Sequence, residues 1–186
     1  MSKLSSITVH GRFQPPLHIN HWEYVWQGFE LAEHVTILIT NPFQDESFEV
    51  TASWRNSQAS NPFSYDERVF MFKEFFKHKN ISPAQYTLRP FNIKDDAAFA
   101  ELDRLAPNLV NVYSEWSAKK VSLFESQGLK VIRLNQPKFS AVSGTSIREL
   151  IQNTKDASLL PELLINAGFM QEAIPGLLKI LSRRSV

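Results

Sequence analysis

Apolar residues along the chain switch repeatedly between the two-residue period of a strand and the 3.6-residue period of a helix. The segment "LSSITVH" (4–10) alternates and stops at Gly11, which marks a first strand. Trp22, Val25, Trp26, Phe29 and Leu31–Ala32 then recur at helical spacing, predicting a helix from His18 to about Glu33. "HVTILIT" (34–40) is nearly continuous and apolar, the pattern of a strand buried on both faces. Residues 41–61 carry little periodic signal, which is long for a loop and points to a functional or locally structured segment. "SYDERVFMFKEFFKHK" (64–79) opens with a capping serine and early acids and continues as an apolar stripe, predicting a second helix.

The same alternation continues downstream. Strands are expected at "YTLRPF" (86–91), "NLVNVYS" (108–114) and "LKVIRLN" (129–135), with helices at 95–105 and 115–128 between them. A helix from Ser146 to about Gln152 follows, and Leu159 onward is helical with a break near Pro175. Strand and helix alternating about five times predict an α/β fold: a Rossmann-like, doubly wound parallel sheet of about five strands with helices on both faces. The expected organisation is a single domain over 1–186, with a core at 4–153 and a C-terminal helical extension at 154–186. Ligands on such sheets sit beyond the carboxyl ends of the strands, where strand order reverses.

Composition narrows the chemistry. The chain has 186 residues, 43% hydrophobic and 21% charged, with a net charge of +1. That balance lacks the bulk basic field of a nucleic-acid binder, so any phosphate binding must be local. The absence of cysteine excludes disulfides, thiolate metal sites and thiol nucleophiles. Neither an apolar leader nor a run of membrane-spanning length is present in the sequence, so a cytoplasmic protein without membrane association is expected.

One stretch concentrates unusual chemistry. "HGRFQPPLHINH" (10–21) holds three of the five histidines directly after the first strand. Gly11 permits close backbone approach, Arg12 offers a planar permanent charge, and Pro15 and Pro16 stiffen the turn. His18 and His21 fall on one face of a helix start, where free N–H groups and the helix dipole attract anions. A solvated polar loop or a helix cap would account for single histidines here. A zinc site would need further ligands that the segment does not supply. Near the other end, "SGTSIRE" (143–149) leads hydroxyls and a glycine into a helix, with Ser146 and Glu149 at capping-box spacing and Arg148 one turn in. Taken alone it is a capped helix start; together the two blocks predict a polyphosphate held between two helix N-termini.

"GRFQPPLHINH" resembles the G-R-F-Q-P-x-H-x-G-H segment of the nucleotidyltransferase superfamily, and "SGTSIRE" resembles its second signature. "NPFSYDER" (61–68) looks like a further block of the archaeal-type nicotinamide mononucleotide (NMN) adenylyltransferases. The resemblance implies attack of a phosphate-like acceptor on the α-phosphorus of a nucleoside triphosphate, catalysed by positioning and charge stabilisation. It implies His18, His21 and Arg148 as catalytic residues. It implies Gly11, Arg12, Phe13, Gln14, Ser143, Gly144, Thr145 and Ser146 around the nucleotide phosphates. It further implies ATP and NMN as substrates, Mg2+ carried mainly by the triphosphate with no protein metal site, and a possible homo-oligomer. Asn92, Asp96 and Phe99 stand at the acceptor positions; Phe99 keeps an aromatic plate, whereas Asn92 and Asp96 differ from the family's polar residues there. Asn20 replaces the signature glycine under the nucleoside, and Ser60 replaces an arginine before the N-P-F. These departures leave open a cytidylyl or adenylyl transfer to another phosphate or phosphonate acceptor, or a non-catalytic nucleotide-binding domain. An aminoacyl-tRNA synthetase is disfavoured by the short chain and the missing lysine-rich signature.

Overall fold

The structure, a computed structural model, describes residues 2–42, 57–92, 95, 97–98, 108–111, 122, 124–126, 128–134 and 142–184. Five parallel strands form one sheet: β1 (Leu4–Gly11), β2 (Ala32–Thr40), β3 (Tyr86–Phe91), β4 (Asn108–Asn111) and β5 (Val131–Leu134), in the order β3-β2-β1-β4-β5. The order reverses between β1 and β4, so the switch point falls where the "GRFQPP" loop leaves β1. The strand order and the parallel pairing match the doubly wound α/β expectation.

Helices cover the sheet on two sides. α1 (Ile19–Leu31) and α2 (Tyr65–His78) contribute to the larger core with Ile7, Val9, Ile37 and Ile39. Leu38, Phe91 and Leu129 pack around Phe124 in a second cluster. α1 ends at Leu31, and Ala32 begins the strand rather than extending the helix, because Leu4 of β1 pairs with Ala32 in parallel register. Trp26, expected on the apolar face, is exposed, with its indole N–H donating to Glu30 Oε1 at 2.9 Å. Ser64 caps α2 in a reciprocal box with Glu67, a device that stabilises a helix start by about 1 kcal/mol.

Beyond the sheet run α3 (Gly144–Asn153), α4 (Leu160–Asn166) and α5 (Ile174–Arg184). Two boundaries differ from expectation. α3 starts two residues early, with Ser143 rather than Ser146 as cap: Ser143 Oγ accepts from Ser146 N at 3.2 Å and Ser146 returns the bond. The C-terminal break lies between α4 and the 3-10 turn at Gln171–Ala173, not at Pro175, which sits in the first turn of α5 where no backbone donor is needed. That break has a tertiary cause. Met170 N donates to Leu17 O at 3.0 Å and Ile19 N donates to Gly168 O at 2.9 Å, so the C-terminal segment is stitched to the entry of α1. The expected helix at 95–105 lies largely outside the described residues, as does most of 41–61. Of 115–128, Ser122 and Phe124–Ser126 are helical. None of the described helices is long and apolar enough to cross a membrane.

Candidate active site

The histidines of the first block divide. His10 belongs to β1, pairs with Leu38 in register and packs its ring on Phe124 at 4.6 Å, on the smaller cluster's side. His18 and His21 instead come together at the start of α1, rings stacked with centroids 3.6 Å apart. His18 occupies the cap position of α1 yet makes no capping bond with its side chain. His18 is buried and His21 half-buried, and among the described residues Nδ1 of each lacks a hydrogen-bond partner. Burial, reinforced by Arg148, lowers the His18 pKa to about 3. Burial also holds His21 well below its ordinary value, with His18, Arg12 and Arg148 adding to the effect against a hydrogen bond to the Pro15 backbone. At neutral pH the pair is therefore two uncharged imidazoles beside two arginines. A neutral ring keeps one N–H that can donate a hydrogen bond to an oxyanion; at His21 that N–H is shared with the Pro15 carbonyl.

The loop that carries this pair is tightly constrained. Phe13 (φ 49°), Leu17 (φ 75°) and, across the sheet edge, Asn41 (φ 51°) adopt left-handed backbone, and the Gln14–Pro15 peptide is cis. Non-glycine residues in that region are uncommon and cluster at functional sites. Phe13 folds back over Gly11, where a Cβ would lie 2.6 Å from its ring, and its edge supports His21 at 5.0 Å. The Gln14 side chain is fully committed to protein: Nε2 donates to Phe63 O at 2.8 Å and Oε1 accepts from Phe63 N at 3.0 Å. It ties the loop to the "NPF" block.

The second block meets the first directly. A Cβ on Gly144 would stand 2.7 Å from Gln14 O, so only glycine allows this approach. Arg148 is buried, donating from Nη1 to Gln14 O at 2.6 Å and from Nη2 to Thr145 Oγ1 at 3.0 Å. Asn20, in the signature's glycine position, donates from Nδ2 to Val142 O at 2.9 Å and joins the same junction. Ser143, Thr145 and Ser146 are exposed at the start of α3, and Arg12 is half-buried. Two helix N-termini thus converge on one sheet edge with His18, His21, Arg12 and Arg148. Asn92 follows β3 and is half-buried; Asp96 and Phe99 lie outside the described residues. Among the described residues no group of three or more His, Cys, Asp or Glu side chains could hold a metal ion.

Sequence reasoning passed over Arg68. Its buried guanidinium donates to Ser64 O at 3.2 Å, Arg12 O at 2.7 Å, Thr40 O at 2.8 Å and Asn41 O at 2.6 Å. Burial lowers its pKa to about 10, which leaves it charged at neutral pH. It fixes the carboxyl tips of β1 and β2 relative to each other. The available signal was its place as the last residue of "NPFSYDER".

No protein-family model matches the chain. The sequence is 31% identical over 147 residues to a phosphonoformate cytidylyltransferase of Streptomyces viridochromogenes, covering 77% of this chain and 78% of that protein. Among solved structures, a bifunctional NMN adenylyltransferase/ADP ribose pyrophosphatase of Francisella tularensis, complexed with AMP and a manganese ion, superposes with a TM-score of 0.56 at 15% identity over 92% of this chain. The chain spans about half of that structure's length, 51%. NadR protein in complex with NAD and AMP-PNP gives a TM-score of 0.50 at 16% identity, over 81% of this chain and 44% of that one. At these identities the structural likeness is one of fold.

Proposed function

This chain belongs to the nucleotidyltransferase family of the phosphonoformate cytidylyltransferase, and from that premise we propose that it transfers a cytidylyl group from CTP to a small phosphonate acceptor. The observation that carries the reading is the neutral His18–His21 stack set between two helix N-termini and flanked by Arg12 and Arg148. An acceptor oxygen attacks the α-phosphorus, the bond from that phosphorus to the bridging oxygen breaks, and pyrophosphate leaves. No covalent enzyme intermediate is required. His18 and His21 donate to oxygens of the triphosphate as charge builds on the leaving group, and the Arg12 guanidinium holds a phosphate bidentately. Arg148 spans Gln14 and Thr145 and so keeps the two phosphate-binding turns at a fixed separation. Magnesium enters with the triphosphate as part of the substrate and offsets its charge.

Adenylyl transfer from ATP to NMN is the second reading, favoured by the "NPFSYDER" block. The test is pyrophosphate release with each of the four triphosphates and Mg2+, in the presence of phosphonoformate or NMN. Release with CTP and phosphonoformate is the expected result. Release confined to ATP with NMN establishes the second reading instead, and no release from any pair contradicts both.

A further inference from the structure

We propose that Thr40 and Asn41, at the carboxyl tip of β2, bind an oxyanion of the acceptor, with Asn41 as the residue that selects it; this rests on the nucleotidyl-transfer reading above. Asn41 is 1% exposed and Thr40 fully buried, yet among the described residues Asn41 Nδ2 and Thr40 Oγ1 have no hydrogen-bond partner. Buried polar side-chain atoms nearly always find partners, and an orphaned donor at a functional edge points to a ligand that completes it. These two donors are adjacent in sequence and share one strand tip.

The backbone there is fixed by side-chain hydrogen bonds from Arg68. Asn41 sits at φ 51°, and Arg68 pins it by donating to Thr40 O and Asn41 O at 2.8 and 2.6 Å. The hydrogen bonds of that guanidinium all go to backbone carbonyls, which leaves its charge available to the field above the tip. The register sets the tip between the two substrates. Gly11 pairs with Ile39, so the tip adjoins the "GRFQPP" loop on one side. Thr40 pairs with Phe91, so Asn41 lies level with Asn92 on the other. An amide N–H and a hydroxyl above a fixed positive charge suit a phosphonate or carboxylate oxygen of a small acceptor. They are poorly suited to a neutral sugar or base.

Asn41→Asp keeps the size and the tolerance for left-handed backbone but turns the donor into a repelling carboxylate. Asn41→Gly keeps the backbone and removes the side chain. Calorimetric titrations of wild type and both variants with phosphonoformate, inorganic phosphate and CTP, alongside melting curves, test the assignment. Loss of one hydrogen bond to a charged group predicts phosphonoformate binding weakened about tenfold or more in both variants, with CTP affinity within about twofold of wild type. Phosphonoformate affinity unchanged in either folded variant overturns the proposal. So does wild type that binds CTP but neither anion, and so do variants that weaken CTP instead. Wild type that binds no nucleoside triphosphate at all contradicts the underlying functional reading, an outcome separate from these.

Discussion

Two uncharged, closely packed histidines make the folded state sensitive to acid, and the size of the effect follows from His18. Its ordinary pKa is 6.5 and its folded value about 3. Between those limits the unfolded chain binds a proton that the folded chain refuses, so stability rises with pH and is lost as pH falls below 6.5. For this one group the loss is about 1.4 kcal/mol at pH 5.5 and about 2.7 kcal/mol at pH 4.5, relative to the plateau above neutrality. His21 acts in the same direction. His18→Gln removes the titration and keeps a polar side chain. Urea unfolding at pH 7.5, 6.5 and 5.5 should show wild type losing stability faster than His18→Gln, the two curves converging by about 1.4 kcal/mol across this range. Relief of His21 in the variant adds to the convergence. A stability difference independent of pH would mean that His18 is protonated or solvated in the folded protein, and the neutral-pair account would fall.

Other perturbations separate assembly of the site from its chemistry. Gly144→Ala places a methyl group against Gln14 O and should cost about 1–3 kcal/mol in denaturant unfolding, with a larger fractional loss of turnover than of folding; unchanged turnover would show that the turns need not meet. Arg148→Lys cannot span Gln14 O and Thr145 Oγ1 together, so it should lose turnover about as severely as Arg148→Ala in steady-state kinetics. Gln14→Leu removes both bonds to the Phe63 backbone and should destabilise by about 2–3 kcal/mol in urea melts, and nucleotide affinity at a temperature where the variant is folded should stay near wild type.

What the sequence made legible and what it hid divide along physical lines. β2 was readable because a strand covered on both faces must be apolar throughout, and His18 with His21 because i and i+3 positions share a helix face. The start of α3 lies two residues before the sequence expectation: "SGTSIRE" contains two serine-led capping patterns, and the choice between them depends on Gly144 meeting Gln14 O, a contact 130 residues away in sequence. The Gln14 side chain pairs with the backbone of Phe63, a partner that no side-chain pattern announces. Arg68 was hidden for the same reason. An arginine on a helix reads as a solvated position until the strand tips whose carbonyls it satisfies are in place. The break after α4 answers to Leu17 and Ile19, again through main-chain bonds.

In the proposed reaction the stacked histidines stabilise nucleotidyl transfer without a protein nucleophile or protein-held metal. The most direct measurement is the single-turnover rate of pyrophosphate release, at saturating CTP, Mg2+ and phosphonoformate, for wild type and His21→Ala. A fall of roughly 100-fold or more is predicted, with CTP affinity and melting temperature changed little. A His21→Ala rate within a few-fold of wild type would contradict it.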